Sequence, residues 1–404
     1  MEKKTKKKKG KKVLQNRNKS ENKKSKKEKI ALFHPWIKSR GGAEKVVLRI
    51  AEALGDVDIY TWSYKKEDSF HEFKNHNVIV IGNKISEKLS RKHFIRGLIP
   101  FISKNNIPLK NYDKFIVSTS GVGEFILFKN YLPGNTYVYA HTPLREANKN
   151  IIKWNLKNNR YNLFQKTIYK TLVKIYNVFE KRAWKKTDYP IFNSELSKKR
   201  AEDKGLLKNK ESGIVYPPIE IGEKKKKAQD KKYLLYVSRI NSPKRQDVLI
   251  KAWNKIRKDF PDYKLVLVGN IDNKKYYEKI KKELNESIKI KENVSSEKLD
   301  ELYRNCSAGI FLGYEEDFGM VPLEILSYKK PLIAPDIGGY FDLMKNHPLF
   351  YKIKEKHDNK EMAEEVSNKL RNFLKNKKEI SKSKRKINKI NVPDFDKEIR
   401  RVLG

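Results

Sequence analysis

Glu316-Asp317-Phe318-Gly319-Met320-Val321-Pro322-Leu323-Glu324 is the stretch on which the reading of this chain turns. Two glutamates eight residues apart bracket a Phe-Gly turn and the start of a helix. A strand-like run, Gly309–Leu312, leads into the block; Pro331-Leu332-Ile333-Ala334 and then Gly338-Gly339 follow it. A glycine turn between strand and helix leaves free backbone N–H groups at the helix N-terminus, and these suit a diphosphate. Carboxylates beside them accept hydrogen bonds from sugar and ribose hydroxyls. Glu324 lies about two helical turns beyond Glu316, so the pair can address opposite ends of one elongated ligand. Two surface glutamates flanking an ordinary loop–helix junction would look the same in isolation. The sequence around the block is what gives it weight.

Moving outward, strand-like and helix-like segments alternate in both directions. On the C-terminal side lie Tyr233–Val237, a helix from Gln246, Lys264–Val268, a helix from Lys274, Ile288–Ile290, a helix at Glu297–Tyr303 and a helix from Val321. On the N-terminal side, Ile30–Phe33 runs into Gly41-Gly42, and Val46, Val47, Ile50, Ala51 and Leu54 then recur at helical spacing. Val57–Thr61, Val78–Ile81, Phe115–Ser118 and Thr136–Ala140 read as strands, residues 151–186 as one long helical stretch, and Tyr189–Phe192 as a strand. Such alternation predicts an α/β chain of doubly wound parallel sheets. Pro217-Pro218 and the lysine run 224–227 punctuate it near the middle. The expected domains are a disordered basic tail at 1–29, a first Rossmann-like domain at 30–214 and a second at 215–385. A terminal helix at 386–404 is free to cross back to the first half. Two such halves bind ligands in the crevice at the C-terminal ends of their strands.

The net charge of +43 in 404 residues divides unevenly, because residues 1–29 hold 15 Lys/Arg against three Glu. That tail is too polar to fold alone. The charge on the rest admits polyanionic partners, whether nucleic acid, an anionic membrane or phosphate-bearing substrates, and equally a solvated lysine-rich surface. A single cysteine, Cys306, allows no internal disulfide and points to a reducing, cytoplasmic compartment. Cys306 itself reads as a small buried residue. No apolar run is long enough to span a bilayer, and the N-terminus lacks the apolar core of a secretory signal. Zinc-finger, RRM and KH signatures are missing.

With these segments in order, the chain resembles the family-four retaining glycosyltransferases of the GT-B fold, over roughly residues 30–345. The block from Glu316 to Glu324 looks like that family's donor-binding signature. Gly41-Gly42-Ala43-Glu44 resembles its first glycine loop. Arg239 and Lys244, in Ser238-Arg239-Ile240-Asn241-Ser242-Pro243-Lys244, match the cations that hold the diphosphate. Lys264–Gly269 resembles the next strand with its terminal glycine, Val294-Ser295 the turn that meets the base, and Asn193-Ser194 the run toward the linker. His141-Thr142-Pro143-Leu144-Arg145, with Tyr112-Asp113 and Ser118-Thr119-Ser120, is similar to a subgroup that builds surface polysaccharides and lipid-linked glycans, often with mannose. Ser238, Lys329 and Asp342 stand where the pattern usually has Gly, Gly and Glu.

The resemblance implies two Rossmann-like domains facing a central cleft, an acceptor domain at 30–214 and a nucleotide-sugar donor domain at 215–385, and transfer of a hexose, mannose favoured, from a GDP- or UDP-linked donor. It implies retention by front-face attack. Catalysis would fall to Glu316, His141, Arg239 and Lys244, and donor binding to Gly41, Gly42, Arg239, Lys244, Val294, Phe318, Gly319, Met320, Val321 and Glu324. Glu316 would position the sugar hydroxyls, and His141 would contact the donor sugar or reacting centre. Arg145 is left between binding a phosphate and pairing with a neighbouring acid. No metal or other cofactor is expected, since Asp56-Val57-Asp58 fits D-x-D only formally and the histidines show no ligand spacing. The acceptor would be a glycan or lipid-linked molecule. A basic amphipathic segment at 85–102 would meet an anionic membrane surface, or else pack on its own domain. The alternatives are a basic nucleic-acid-binding protein and a same-fold sugar synthase acting on a soluble acceptor.

Overall fold

The computed structural model describes residues 28–84, 99–102, 106–158, 162–219, 228–377 and 390–403, the side chains of 101, 102 and 146 excepted. The tail up to residue 27, most of the amphipathic segment (85–98) and the lysine run 224–227 lie outside the described residues.

Strands β1 (Ile30–Phe33), β2 (Val57–Thr61), β3 (Asn77–Val80), β4 (Lys114–Thr119), β5 (Thr136–Ala140), β6 (Tyr189–Phe192) and β7 (Gly213–Ile214) form one parallel sheet. Its order is β3-β2-β1-β4-β5-β6-β7. Strands β8 (Tyr233–Val237), β9 (Lys264–Val268), β10 (Ile288–Lys291), β11 (Ala308–Ile310), β12 (Leu332–Pro335) and β13 (Phe350–Ile353) form a second, ordered β10-β9-β8-β11-β12-β13. Each half is therefore doubly wound: its first three strands run outward one way, and the chain then returns to the middle and runs the other way. The reversal leaves a crevice beyond β1 and β4 in the first sheet and beyond β8 and β11 in the second. Central strands such as Phe115–Thr119 and Tyr233–Tyr236 are buried along their length, as helices on both faces require.

Among the described residues the helices of eight residues or more are α1 (Gly42–Leu54), α2 (Lys149–Asn158), α3 (Leu163–Trp184), α4 (Glu195–Asp203), α5 (Gln246–Ile256), α6 (Lys274–Lys281), α7 (Ser296–Asn305), α8 (Met320–Ser327), α9 (Asn359–Lys375) and α10 (Phe395–Leu403). The single helix expected over 151–186 is two. Asn162 starts the second: its side chain accepts from the Gln165 N–H while the Gln165 side chain accepts from the Asn162 N–H. That reciprocal cap satisfies helix-end donors that a continuous helix would have satisfied internally. Ile99, on the segment expected either to meet a membrane or to pack on its own domain, is fully buried in the core cluster that holds Tyr60, Phe115 and Trp184.

The last described helix packs on the first sheet's opening helix. Helix α10 leaves the second sheet and buries Phe395, Ile399 and Leu403 beside Val46, Val47 and Ile50 of α1. Arg49 pairs with Asp396 at 2.5 Å, and Arg400 donates to the Ala53 carbonyl at 2.8 Å. Among the described residues no helix is long and apolar enough to cross a membrane.

Candidate active site

The charged and polar side chains singled out in the sequence gather at both chain reversals. After β11 the chain runs through Glu315, whose φ is +51°, to Gly319, whose φ is +87° and which precedes α8. A side chain at Gly319 would meet the Tyr340 ring at 2.6 Å, so this entry to the helix demands glycine. The Gly338-Gly339 pair has a different use. A Cβ on Gly339 would fall 1.9 Å from the Asp317 carbonyl oxygen, and the Gly339 N–H donates to the Glu316 carbonyl at 3.2 Å. The glycine pair thus lets a second loop press against the first and hold it.

Held there, Glu316 accepts from Lys244 Nζ at 2.6 Å, both side chains being mostly buried. Burial pushes the Glu316 carboxyl upward, but Lys244, Arg145 and Arg239 together outweigh it and keep it below the usual glutamate range. Glu316 is therefore ionised at neutral pH. The Lys244 ammonium also lies 5.3 Å from the Phe311 ring centre. The turn Ser242–Lys244 is tied to the loop by the Tyr314 N–H, which donates to the Pro243 carbonyl at 2.8 Å. Arg239 is far more exposed and lies 3.6 Å from Asp272. The Glu324 carboxylate accepts from the Tyr303 hydroxyl at 2.7 Å, and Val294 sits half-buried just before the Ser295 cap of α7.

The first sheet faces this loop directly. Gly42, in the first turn of α1, approaches Met320 so closely that a Cβ there would lie 3.1 Å from the methionine sulfur. The N-termini of α1 and α8 therefore meet across the cleft. Glu44 in the same turn accepts from Ser39 Oγ at 2.7 Å; burial raises its carboxyl, and the Arg239 charge partly opposes that. Gly41, Gly42, Arg239, Lys244, Glu316, Gly319 and Met320 form one group. Glu324 and Val294 are engaged with Tyr303 and with core side chains respectively, and Phe318 is buried in the second core with Val321 packed against it.

His141, at the end of β5, makes its contacts within the first half. Its Nε2 is 2.8 Å from Ser118 Oγ, and His34 Nδ1 is 3.0 Å from the same hydroxyl. Burial drives the His141 imidazole down to about 3, the His34 charge adding to the effect, and it drives His34 to about 4. Both rings are neutral at physiological pH, joined through one serine hydroxyl. Arg145, left open between a phosphate and an acid, pairs with the acid: it donates to Asp317 at 3.2 Å and to the Tyr314 carbonyl at 3.2 Å.

Sequence reasoning missed several of these partners. Arg200 on α4 forms ion pairs with both Glu315 and Asp317, on either side of Glu316. Ser194, the cap of that helix, donates from Oγ to the Asp317 carbonyl at 2.6 Å. The Asn193-Ser194 run was legible as a motif, and a cation six residues further along the same helix was the available signal. Beneath the 141–145 loop, buried Glu180 accepts from the Leu144 N–H at 2.6 Å and from Lys204 at 2.5 Å. Asp58, the better-placed half of the formal D-x-D, accepts from Tyr112 at 2.6 Å and from Asn77 at 2.8 Å, a structural use. Among the described residues no group of three or more His, Cys, Asp or Glu is arranged to hold a metal ion.

Two doubly wound halves whose switch points and helix N-termini face one another define the GT-B class of fold. Residues 219–389 match the family described as glycosyl transferases group 1. The match falls on the second half, and the chain as a whole has the GT-B fold. It is 25% identical over 370 residues to the alpha-1,3/1,6-mannosyltransferase ALG2 of Kluyveromyces lactis, covering 77% of this chain and 70% of that one. Among solved structures it resembles WaaG, a glycosyltransferase involved in lipopolysaccharide biosynthesis, at 16% identity and a TM-score of 0.63, covering 93% of this chain and 100% of that one. It also resembles HepE of Anabaena in complex with UDP and glucose, at 15% identity and a TM-score of 0.61, covering 93% and 99%.

Proposed function

We propose that this chain transfers a hexose, mannose in preference, from a GDP- or UDP-linked donor to a glycan or lipid-linked acceptor, with retention at the anomeric carbon and without a metal ion. The observation that carries the donor reading is the Lys244–Glu316 pair, set beside the N-terminus of α8 and under Gly42 of the facing half. A departing nucleoside diphosphate gathers negative charge. Lys244, the exposed Arg239 and the free N–H groups at Gly319 and Met320 would stabilise it, and fixed donors of this kind contribute about 3–4 kcal/mol each. Ionised Glu316 would accept hydrogen bonds from the donor sugar's hydroxyls. Neutral His141 would meet the sugar at the reacting centre as a hydrogen-bonding group. Glu324 would hold the ribose, and Val294 would lie against the base. Mannose is favoured by the His141–Arg145 motif and by the relative's mannosyltransferase activity. The net charge suits work at an anionic membrane surface.

A thermal-shift screen with GDP, UDP, ADP and their sugars, with and without EDTA, tests this reading. A ligand that binds only the folded chain raises its melting temperature. One nucleotide family should stabilise the protein, survive EDTA and lose its effect in Arg239→Ala. No shift with any nucleotide, while nucleic acid does stabilise the chain, would replace this reading with polyanion binding.

A further inference from the structure

Helix α3 is buried on one side only. Tyr169, Val173, Tyr176, Glu180 and Ala183 face inward, against Val122, Phe125 and Leu144. On the opposite side Leu163 is 82% exposed, Phe164 73%, Ile168 43%, Ile175 43% and Val178 50%. Phe164, Ile168, Thr171, Ile175 and Val178 follow one another in steps of four and three, which is the spacing of a single stripe along a helix. Among the described residues, five of the seven large apolar side chains that stand exposed belong to this one helix. Scattered apolar residues on a surface need no explanation, but a contiguous stripe does.

The charges beside the stripe decide what it fits. Lys170, Lys174, Lys181 and Arg182 are exposed around it. The helix has one acid, Glu180, which is buried and paired with Lys204. We propose that this face of α3 docks on an anionic lipid bilayer, with Phe164, Ile168, Ile175 and Val178 entering the interface and the lysines meeting the headgroups. A second copy of the chain would bring lysine row against lysine row, and the basic tail at 1–29 carries the same sign. The helix would lie on the membrane rather than cross it. Its inner side holds the loop that carries His141 and Arg145, through the Glu180 contact with the Leu144 N–H. Docking would therefore set the acceptor half against the surface; this last step rests on the proposed lipid-linked acceptor, whereas the docking itself does not.

Co-sedimentation of the full chain with vesicles of phosphatidylcholine alone, and of phosphatidylcholine mixed with phosphatidylglycerol, tests the proposal. The basic tail carries charge that would itself attract anionic vesicles, so the reading is the difference between wild type and stripe variants of equal charge. Phe164→Ser with Ile168→Ser should lower partition to the mixed vesicles roughly tenfold or more at matched salt, given the apolar area removed. The melting temperature and the rate of nucleotide release from the sugar donor should stay unchanged. Lys170→Glu with Lys174→Glu should weaken binding further and reduce its salt dependence. Unchanged partition in the serine variant overturns the proposal. So does a drop in its melting temperature, which would mean the chain itself covers the stripe, or a dimer-to-monomer change in light scattering. Failure of wild type to turn over any donor would sink the proposed function and leave the vesicle result standing.

Discussion

The two walls of the cleft use opposite electrostatics. On the C-terminal side an ammonium and a carboxylate, Lys244 and Glu316, meet at 2.6 Å with a second cation, Arg239, left exposed. On the N-terminal side two imidazoles, His34 and His141, share the Ser118 hydroxyl, and burial keeps both neutral. The first arrangement offers fixed charge to a ligand; the second offers hydrogen-bonding polarity without charge. Charge placed beside charge is robust in a partly buried site because each ion offsets the desolvation of the other. Neutral imidazoles need only their hydrogen bonds satisfied. The walls should therefore respond differently to substitution and to pH.

The largest effect should come from breaking the charged wall. Glu316→Ala and Lys244→Ala should each lower the transfer rate by about 10²–10³-fold or more with the fold retained. Turnover near wild type in either would remove the proposed donor site. Next comes the clamp that joins the walls. Arg200→Ala leaves Glu315 and Asp317 without their shared guanidinium, and should cost about 3 kcal/mol in urea unfolding, with a loss of rate in proportion to the disordered loop. Arg200→Lys should recover only part of both, because a single ammonium cannot span two carboxylates as a planar fork does. Full recovery by lysine would mean that charge alone suffices there.

The neutral wall should show itself through pH. The unfolded histidines take up protons below about 6.5, whereas His34 and His141 resist until about 4 and 3. Below pH 6.5 the unfolded state thus binds more protons, and stability falls as pH falls. The loss reaches up to about 1.4 kcal/mol per pH unit for each histidine and levels off only below the folded values. His34→Gln should flatten this slope in melting temperature measured between pH 7 and pH 4; an unaltered slope would show that the two rings are not its source. The smallest effect on stability should be that of Arg239→Ala, within about 0.5 kcal/mol because the side chain is largely exposed. If that variant still gains as much stability from nucleotide as wild type does, Arg239 takes no part in holding the diphosphate.

Legibility followed the same divide. The Glu316–Glu324 block, the turn at Ser242–Lys244 and the strand before each are short contiguous runs, so residue type and spacing reveal them. The N-terminal wall is assembled from His34, Ser118, His141 and Arg200, four points on four elements. Ser118 and His141 could be singled out in motifs; His34, a polar residue at the end of a buried strand, was passed over. Arg200 lies on a helix whose cap was noticed, yet its partners stand more than a hundred residues away. The interruption of the 151–186 helix was missed because both pieces carry helical periodicity, and the cap that restarts the second is a local polar contact.

The sequence by itself determined the alternation of strand and helix, the doubly wound halves, and the make-up of the Glu316–Glu324 block, because periodicity and turn glycines are local properties. Only the tertiary structure decided that Arg145 and Arg200 close on Asp317, that Gly42 meets Met320 across the cleft, that His141 is neutral, and that one face of α3 is left apolar and bare. Each of those depends on which distant surfaces come into contact and how much water they exclude, and burial on that scale belongs to the folded chain as a whole.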